Sequence, residues 1–425
     1  MLLLAIVTMA LLATLCYRMG GNVIFYPPVV FCGIWAFDLS LLWAGGDYFY
    51  PLIPETLAIF IIGAAMFALG SYAGSLYPLQ ADSQPLAVHG SVNRTITVLV
   101  WILVISAPFY FRWLFGLVAE VGGTASFLLA TQVGIDEVAH QSFSYTVFAS
   151  ISDLSTVVAV IAFIERKGYP KRALIAIVVS LLMTVVFGKR GPVGLALALF
   201  CVDWIQNRRF RWKLVLALGL VILTTISAVE FYAHLGGGSS GPIAQSSVPE
   251  NVALVGRQVV VYAAGPMVAF DRVVRHPNVV PPVYPFYIVF LRAFKRLGFD
   301  VDIPGPGQFV SVSTDGVQHN VFTMYWSYLD VGYTGMMLVV VFTGFFTTLV
   351  YRRALAGHRV SLVFYSALFY AIVFSPFAEY FYTAAYSMVR LCMMCWLIYY
   401  FPVHWQAFKK ITAPRPAPDS PQSGI

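Results

Sequence analysis

Charge is what this sequence has least of. Only 11% of its residues are Asp, Glu, Lys or Arg, against about 25% in a soluble domain, and so few cannot cover a water-facing surface. Hydrophobic residues make up 59%, so lipid has to cover most of the exterior. Two-residue alternation, the mark of a membrane barrel strand, is also missing: the apolar runs are continuous and about 17–25 residues long. In lipid the backbone must satisfy its own hydrogen bonds, which such runs do as helices. The five cysteines, Cys16, Cys32, Cys201, Cys392 and Cys395, all lie in or beside apolar runs. They have no zinc-type partners, and a disulfide framework is not expected. No basic residue precedes the apolar stretch Met1–Tyr17 and no clear cleavage site follows it. It is expected to remain as a first helix.

What is present is a long series of apolar segments, at 1–17, 23–44, 54–76, 95–117, 143–164, 173–187, 192–205, 214–233, 334–351, 360–377 and 384–402. They predict an all-α polytopic membrane protein of about 11 transmembrane helices. The short pair 173–187 and 192–205 reads either as two spans or as one interrupted helix, which would change the parity. The net charge of +7 invites a nucleic-acid partner, but the cations cluster in short connections between apolar runs. These clusters are Arg166, Lys167, Lys171 and Arg172; Arg208, Arg209, Arg211 and Lys213; Arg352, Arg353 and Arg359; and Lys409, Lys410 and Arg415. With eleven spans all four fall on one face, which the positive-inside rule makes cytoplasmic. No nucleic acid is implied; the bilayer is the expected partner. The chain divides into an N-terminal bundle (1–233), an outer loop (234–333), three C-terminal spans (334–402) and a Pro- and Ser-rich tail (403–425) expected to be disordered.

A connection as long as 234–333 suggests order and function. It opens on a Gly/Ser stretch, reads as an amphipathic helix near Asn251–Arg275, and carries an apolar piece at 285–294 too short to cross. Against the rule that orients the protein, cations also occur on the outer side. Lys189 and Arg190 sit in a short glycine-flanked turn; Arg257, Arg272, Arg275, Arg292, Lys295 and Arg296 lie in the long loop. A guanidinium grips phosphate oxygens in two-pronged fashion, so these residues are candidates for an anionic, lipid-linked ligand. Long outer loops also escape the charge rule, and contact with anionic headgroups accounts equally for Arg292, Lys295 and Arg296. Arg390, inside the last span, needs an ion-pair partner; Asp38, Asp153 and Glu230 are the candidates.

The loop ends in His319-Asn320-Val321-Phe322-Thr323, followed by Tyr328, Asp330, Gly332 and Gly335. A histidine titrates near neutrality and can take a proton from a hydroxyl. Asn320-Val321-Phe322-Thr323 with Tyr328, Asp330, Gly332 and Gly335 resembles the late motif of the oligosaccharide repeat-unit (Wzy-type O-antigen) polymerases. Val261-Tyr262-Ala263-Ala264-Gly265-Pro266 with Phe270-Asp271 is similar to that family's outer-loop helix. Gly188-Lys189-Arg190-Gly191 resembles the basic-glycine turn shared by these polymerases and the O-antigen ligases.

The resemblance implies a GT-C-like glycosyltransferase of the bacterial inner membrane, with a large partly helical periplasmic loop and its active site on the periplasmic face. It would move a growing glycan from undecaprenyl pyrophosphate onto the next lipid-linked repeat unit, in lipopolysaccharide or related surface-polysaccharide synthesis. A chain-length regulator is a further partner it implies. No cofactor or metal is expected, since no Asp/His cluster with metal-ligand spacing is visible. On this reading Arg190 and Arg257 stabilise the leaving pyrophosphate and His319 is the base. Lys189, Arg272, Arg275, Asn320, Tyr328, Asp330 and Glu379 line the substrate, and Asp330 and Glu379 stand as substitutes for the base. The nearest alternative is an O-antigen ligase acting on lipid A core, whose histidine motif His319-Asn320 also resembles. A lipid-linked oligosaccharide flippase is the alternative of another class, though no internal repeat is seen.

Overall fold

The computed structural model describes residues 1–21, 23–79, 89–120, 143–185, 190–208, 211, 216, 219, 248–276, 290–291, 294, 299–301, 310–319, 322–382 and 385–401. In chain order the helices are α1 (Leu2–Met19), α2 (Pro27–Ala44), α3 (Pro54–Leu76), α4 (His89–Glu120), α5 (Phe143–Ile164), α6 (Pro170–Val185) and α7 (Arg190–Asn207). They continue with α8 (Val248–Arg275), the short α9 (Met324–Tyr328), α10 (Gly332–Leu355), α11 (Arg359–Val373) and α12 (Ala385–Cys395). Two strands, β1 (Val310–Ser311) and β2 (Gln318–His319), form a small hairpin before α9. Prolines open α2 and α3, where a missing N–H costs no helical bond.

Five stretches are long and apolar enough to cross a membrane: Leu2–Met19, Pro27–Ala44, Pro54–Leu76, Val92–Gly116 and Met324–Leu355. Large apolar side chains such as Leu3, Leu11, Phe109, Phe115 and Leu338 are exposed on their outer faces; these are surfaces made for lipid. Ten of the eleven apolar segments are helical. The eleventh, 214–233, lies outside the described residues except for Leu216 and Gly219, so the total number of crossings rests on it. The apolar piece 285–294 lies mostly outside them too, and the tail 403–425 wholly so.

The ambiguous pair 173–187 and 192–205 folds as two antiparallel helices. A Cβ on Gly191, at the start of α7, would come within 2.7 Å of the Thr184 side chain near the end of α6. At the other end of the pair, Arg166 bonds Asp203 at 2.7 Å. The segment is thus two helices and not one interrupted helix. Among the described residues, three of the four basic clusters meet at one end of the bundle; the fourth, Lys409, Lys410 and Arg415, lies outside them. Arg211 lies 3.6 Å from Asp203, Arg208 donates to the Leu355 carbonyl at 3.4 Å, and Arg359 pairs with Glu165 at 2.7 Å. Arg352 donates to the carbonyls of Gly74 and Tyr77 at 3.0 and 2.6 Å. Arg390, the cation inside α12, pairs with Asp153 of α5.

The segment expected to be an amphipathic outer helix is α8, and over its second half the apolar stripe is covered by protein. Ala264, Met267, Val268, Ala269, Phe270 and Asp271 are all buried. The Phe270 ring joins an aromatic core, 5.7 Å from Phe60, which itself lies 4.9 Å from Trp35; Tyr325 of α9 lies 5.1 Å from Trp35.

The tightest contact in the bundle is between α3 and α10, where backbone meets backbone. A Cβ on Gly74 would lie 2.6 Å from the Phe345 carbonyl oxygen, and Cβ atoms on Gly70 and Gly344 would collide with the carbonyls of Val341 and Phe67. Small residues make such approach possible between helices in lipid, where packing has to replace the hydrophobic effect. A side chain at Gly70 forces two backbones apart, and overpacking of this kind costs about 1–3 kcal/mol or more. Gly70→Val is therefore expected to lower the thermal midpoint of the detergent-purified protein by several degrees. Gly33→Val on α2, where a Cβ meets nothing within 4 Å, is the control; equal midpoints for the two variants would contradict the close α3–α10 contact.

Candidate functional site

The site lies at the end away from the basic loops. Phe25, just before α2, has its ring 4.4 Å from Trp204 at the basic end, so α2 carries the chain to the opposite end and into loop 45–53. There the β1–β2 hairpin is clamped from two sides. The Tyr50 amide donates to the Val312 carbonyl at 3.3 Å and the Thr314 amide to the Tyr48 carbonyl at 3.1 Å. Antiparallel register pairs Val310 with His319 and Ser311 with Gln318. Gly316, at φ +77°, supplies the left-handed turn that the hairpin needs.

His319, in β2, leans onto α8. Its ring occupies the place where residue 265 would carry a side chain: a Cβ there would lie 2.6 Å from Cδ2 and 2.9 Å from Nε2. The Val261 backbone, one helical turn earlier, hydrogen-bonds the imidazole. Tyr262 has its ring 6.3 Å away and stacks on Phe377 at 4.6 Å. Hairpin, helix and the 374–382 turn thus converge on one imidazole. Burial pushes its pKa from 6.5 down to about 4, partly opposed by the Val261 hydrogen bond. At neutral pH the ring is uncharged, hence a proton acceptor and not a cation. The sign for stability follows: between pH 6.5 and about 4 the unfolded imidazole takes a proton that the folded one refuses, so His319 favours unfolding increasingly as pH falls through that window.

The two arginines at the end of α8 have different employment. Arg275 donates to the Asp271 carboxylate at 2.6 Å and to the Pro51 carbonyl, and the other Asp271 oxygen accepts from the Ile53 amide at 2.8 Å. Its donors clasp α8 to the 45–53 loop. Arg272 sits 4.2 Å over the Tyr50 ring; no hydrogen bond or ion pair from the described residues occupies its guanidinium. Arg257 belongs to the same helix. It lies one turn before Val261 and so falls on the stripe that seats His319, whereas fifteen residues, about 22 Å of helix rise, separate it from Arg272. One phosphate cannot reach both.

Glu379 is buried beneath this end. Its carboxylate accepts from the Tyr328 hydroxyl at 3.0 Å and from the amides of Phe381 and Tyr382, the latter at 2.8 Å. Sequence had placed Tyr328 and Glu379 in one group on separate grounds, and they are bonded to each other. Asp330 is exposed at the turn into α10. Thr323 Oγ1, Tyr325 Oη and Trp326 Nε1, within four residues of chain, are buried with no hydrogen-bond partner among the described residues. Arg190 is the first residue of α7. Lys189, Asn320, Arg292, Lys295 and Arg296 lie outside the described residues.

Residue-level reading of the sequence gave no role to Tyr50, Tyr262 or Gly265. Nothing in the chain foretells that a glycine is the seat of a histidine. The seat can be tested without any assay of activity. In protein with 15N-labelled histidine, the resonance that disappears in His319→Gln should titrate with a midpoint near 4, and Gly265→Ala should move that midpoint toward 6.5 by displacing the ring. A wild-type midpoint at 6.5 would mean that the imidazole is solvated. Comparison of the chain with protein-family models, curated proteins and solved structures returns no match.

Proposed function

We propose that the chain is a polysaccharide polymerase: a lipid-pyrophosphate-dependent glycosyltransferase that lengthens a glycan at the outer face of a bacterial inner membrane. One observation carries the reading. The seating of His319 on Gly265 brings the stretch 261–271, which resembles the outer-loop helix of the Wzy-type polymerases, against the residue that immediately precedes 320–335, which resembles their late motif. The sidedness comes from the positive-inside rule, which assigns the basic end to the cytoplasm and so turns the His319 end outward.

On this reading the acceptor sugar hydroxyl attacks the anomeric carbon of the donor glycan. The new carbon–oxygen bond forms as the bond to the pyrophosphate oxygen breaks, the hydroxyl proton passes to His319, and undecaprenyl pyrophosphate leaves with the electron pair. A buried, weakly basic imidazole takes that proton only once bond formation has made the attacking oxygen acidic, so proton transfer comes late. Arg190 and Arg257 stabilise the leaving charge. Tyr262, exposed beside the imidazole, offers a surface for a sugar ring, whereas Tyr328, expected to line the substrate, is fully buried and bonded to buried Glu379, so these two support the site from beneath. The ligase reading keeps a foothold in the His319-Asn320 pair, which resembles that family's histidine motif.

Purified protein given lipid-linked repeat units in the presence of EDTA is expected to make polymer. Arg190→Ala and Arg257→Ala should lower the rate about 10²–10³-fold, the usual scale for losing one stabilising group, and His319→Gln about 10²–10⁴-fold, the scale of a lost acid–base group. Normal polymer from a well-expressed Arg190→Ala variant would remove that residue from the leaving-group role. A cell lacking the gene should cap its lipid core with a single repeat unit. Loss of all O-antigen attachment would point to the ligase, and accumulation on the cytoplasmic face to the flippase.

A further inference from the structure

The turn from α10 into α11 is built around one histidine. Gly357, at φ +92°, takes the left-handed position after α10. The amides of Gly357 and His358 donate back to the carbonyls of Ala354 and Arg353 at 3.1 and 3.0 Å, a pattern that closes many helices. The same His358 opens α11. Its carbonyl accepts from the Leu362 amide at 3.0 Å, and its Nδ1 accepts from the Ser361 amide at 3.1 Å. It is therefore the N-cap of α11, a position usually given to Ser, Thr, Asn or Asp, whose oxygens accept throughout the neutral pH range.

The bond pattern fixes the state of the ring. A backbone amide can only donate, so Nδ1 is bare, and the Ser361 hydroxyl, 2.8 Å from it, donates to the same nitrogen. A proton on Nδ1 would turn that acceptor into a donor and set a cation against the positive end of a helix. The surroundings add to the cost. Arg352 and Arg353 precede the ring in the turn, Arg359 follows it, and Arg208, just beyond α7, reaches the Leu355 carbonyl. Glu165, the acid that comes to this turn from the end of α5, is engaged by Arg359 at 2.7 Å and by the Tyr399 hydroxyl at 3.4 Å. Asp203 of α7 is engaged by Arg166. His358 is half-buried, so a proton from solution reaches it.

We propose that His358 is a proton-operated latch on the first turn of α11, shut when the imidazole is neutral and released when it takes a proton. Neutral, it holds the Ser361 amide and keeps Arg359 on Glu165, where α5, α11 and the segment after α12 meet. Protonated, it gives up the amide, the first turn frays, and that junction loosens. The fold holds the ring without its proton. The stabilising bond is therefore present at high pH and lost as pH falls below about 6.5, where a free imidazole charges. The positive-inside rule turns this end to the cytoplasm, which makes cytoplasmic pH the signal. The latch stands whether or not the chain transfers glycans. It bears on the candidate site through α11 itself, whose far end runs into the turn that carries Phe377 and Glu379.

The test is hydrogen exchange of the full-length protein in detergent, read by mass spectrometry at about pH 7.5 and about pH 5. Results are expressed as protection factors, which remove the intrinsic pH dependence of exchange. Wild type is expected to lose about fivefold protection at the Ser361 and Leu362 amides at the lower pH, the scale on which losing an N-cap shifts a helix end. His358→Asn, a cap that does not titrate, should keep its protection at both pH values, and His358→Ala should lack it at both. All three proteins retain His319, so any effect of that ring cancels in the comparison. Equal protection of wild type at the two pH values overturns the latch, and so does an Asn variant as pH-dependent as wild type. His358→Ala protected like wild type at the higher pH overturns the cap itself. The amides of Phe374 and Ala378 are bonded at the far end of α11; a wild-type loss as large there as at Ser361 would be general softening and overturns a latch on the first turn.

Discussion

The architecture hangs on one contact, the backbone-to-backbone approach of α3 and α10. α3 begins beneath loop 45–53 and α10 begins just after α9, so the distance between these two helices sets the distance between the loop and the aromatic segment at the opposite end of the chain. In lipid no apolar surface gains by leaving water, and two helices stay together through close packing and a few polar bonds. Gly70, Gly74 and Gly344 let carbonyl groups come nearer than any side chain would allow. Ser71 adds a hydroxyl bond to the Gly344 carbonyl at 3.3 Å.

On that base a helix from the long outer connection is pressed inward. α8 is held at its C-terminal turn by the Asp271–Arg275 clasp on residues 51–53, and along its middle by Phe270 in the core. The hairpin then delivers His319 to the only kind of residue that can receive it, one with no side chain. Desolvation is the result, and desolvation makes the imidazole neutral at physiological pH. On the proposed glycan-transfer reading, proton handling falls to this ring and charge handling to arginines, which suits a reaction whose leaving group is an anion and whose attacking group is a neutral hydroxyl.

Much of the helical framework was legible in the chain because lipid leaves the backbone little choice, and continuous apolar runs have to become helices. The shared end of the basic clusters was legible for a related reason, since the charge rule acts on loops and not on tertiary contacts. Partnerships were not legible. Arg390 had three candidate acids and took Asp153, a choice made by the packing of α12 on α5 that no local pattern encodes. Arg272 and Arg275, three residues apart and alike in sequence, diverge because Asp271 sits one turn from Arg275 while Tyr50 approaches Arg272 from a distant loop. Buried α8 had the pattern of a surface helix; its apolar stripe faces protein, and amphipathicity by itself does not say whether the covering is lipid or chain.

Helix length has a consequence for the surrounding bilayer. The 23 residues of α3 and the 24 of α10 rise about 34 and 36 Å, more than the roughly 30 Å of hydrocarbon in a typical membrane. A helix that outruns the hydrocarbon tilts, or thickens the bilayer around it, at a cost of fractions of a kcal/mol per ångström. Because backbone meets backbone between these two, neither can tilt without the other, and the pair answers the thickness of its membrane as one body.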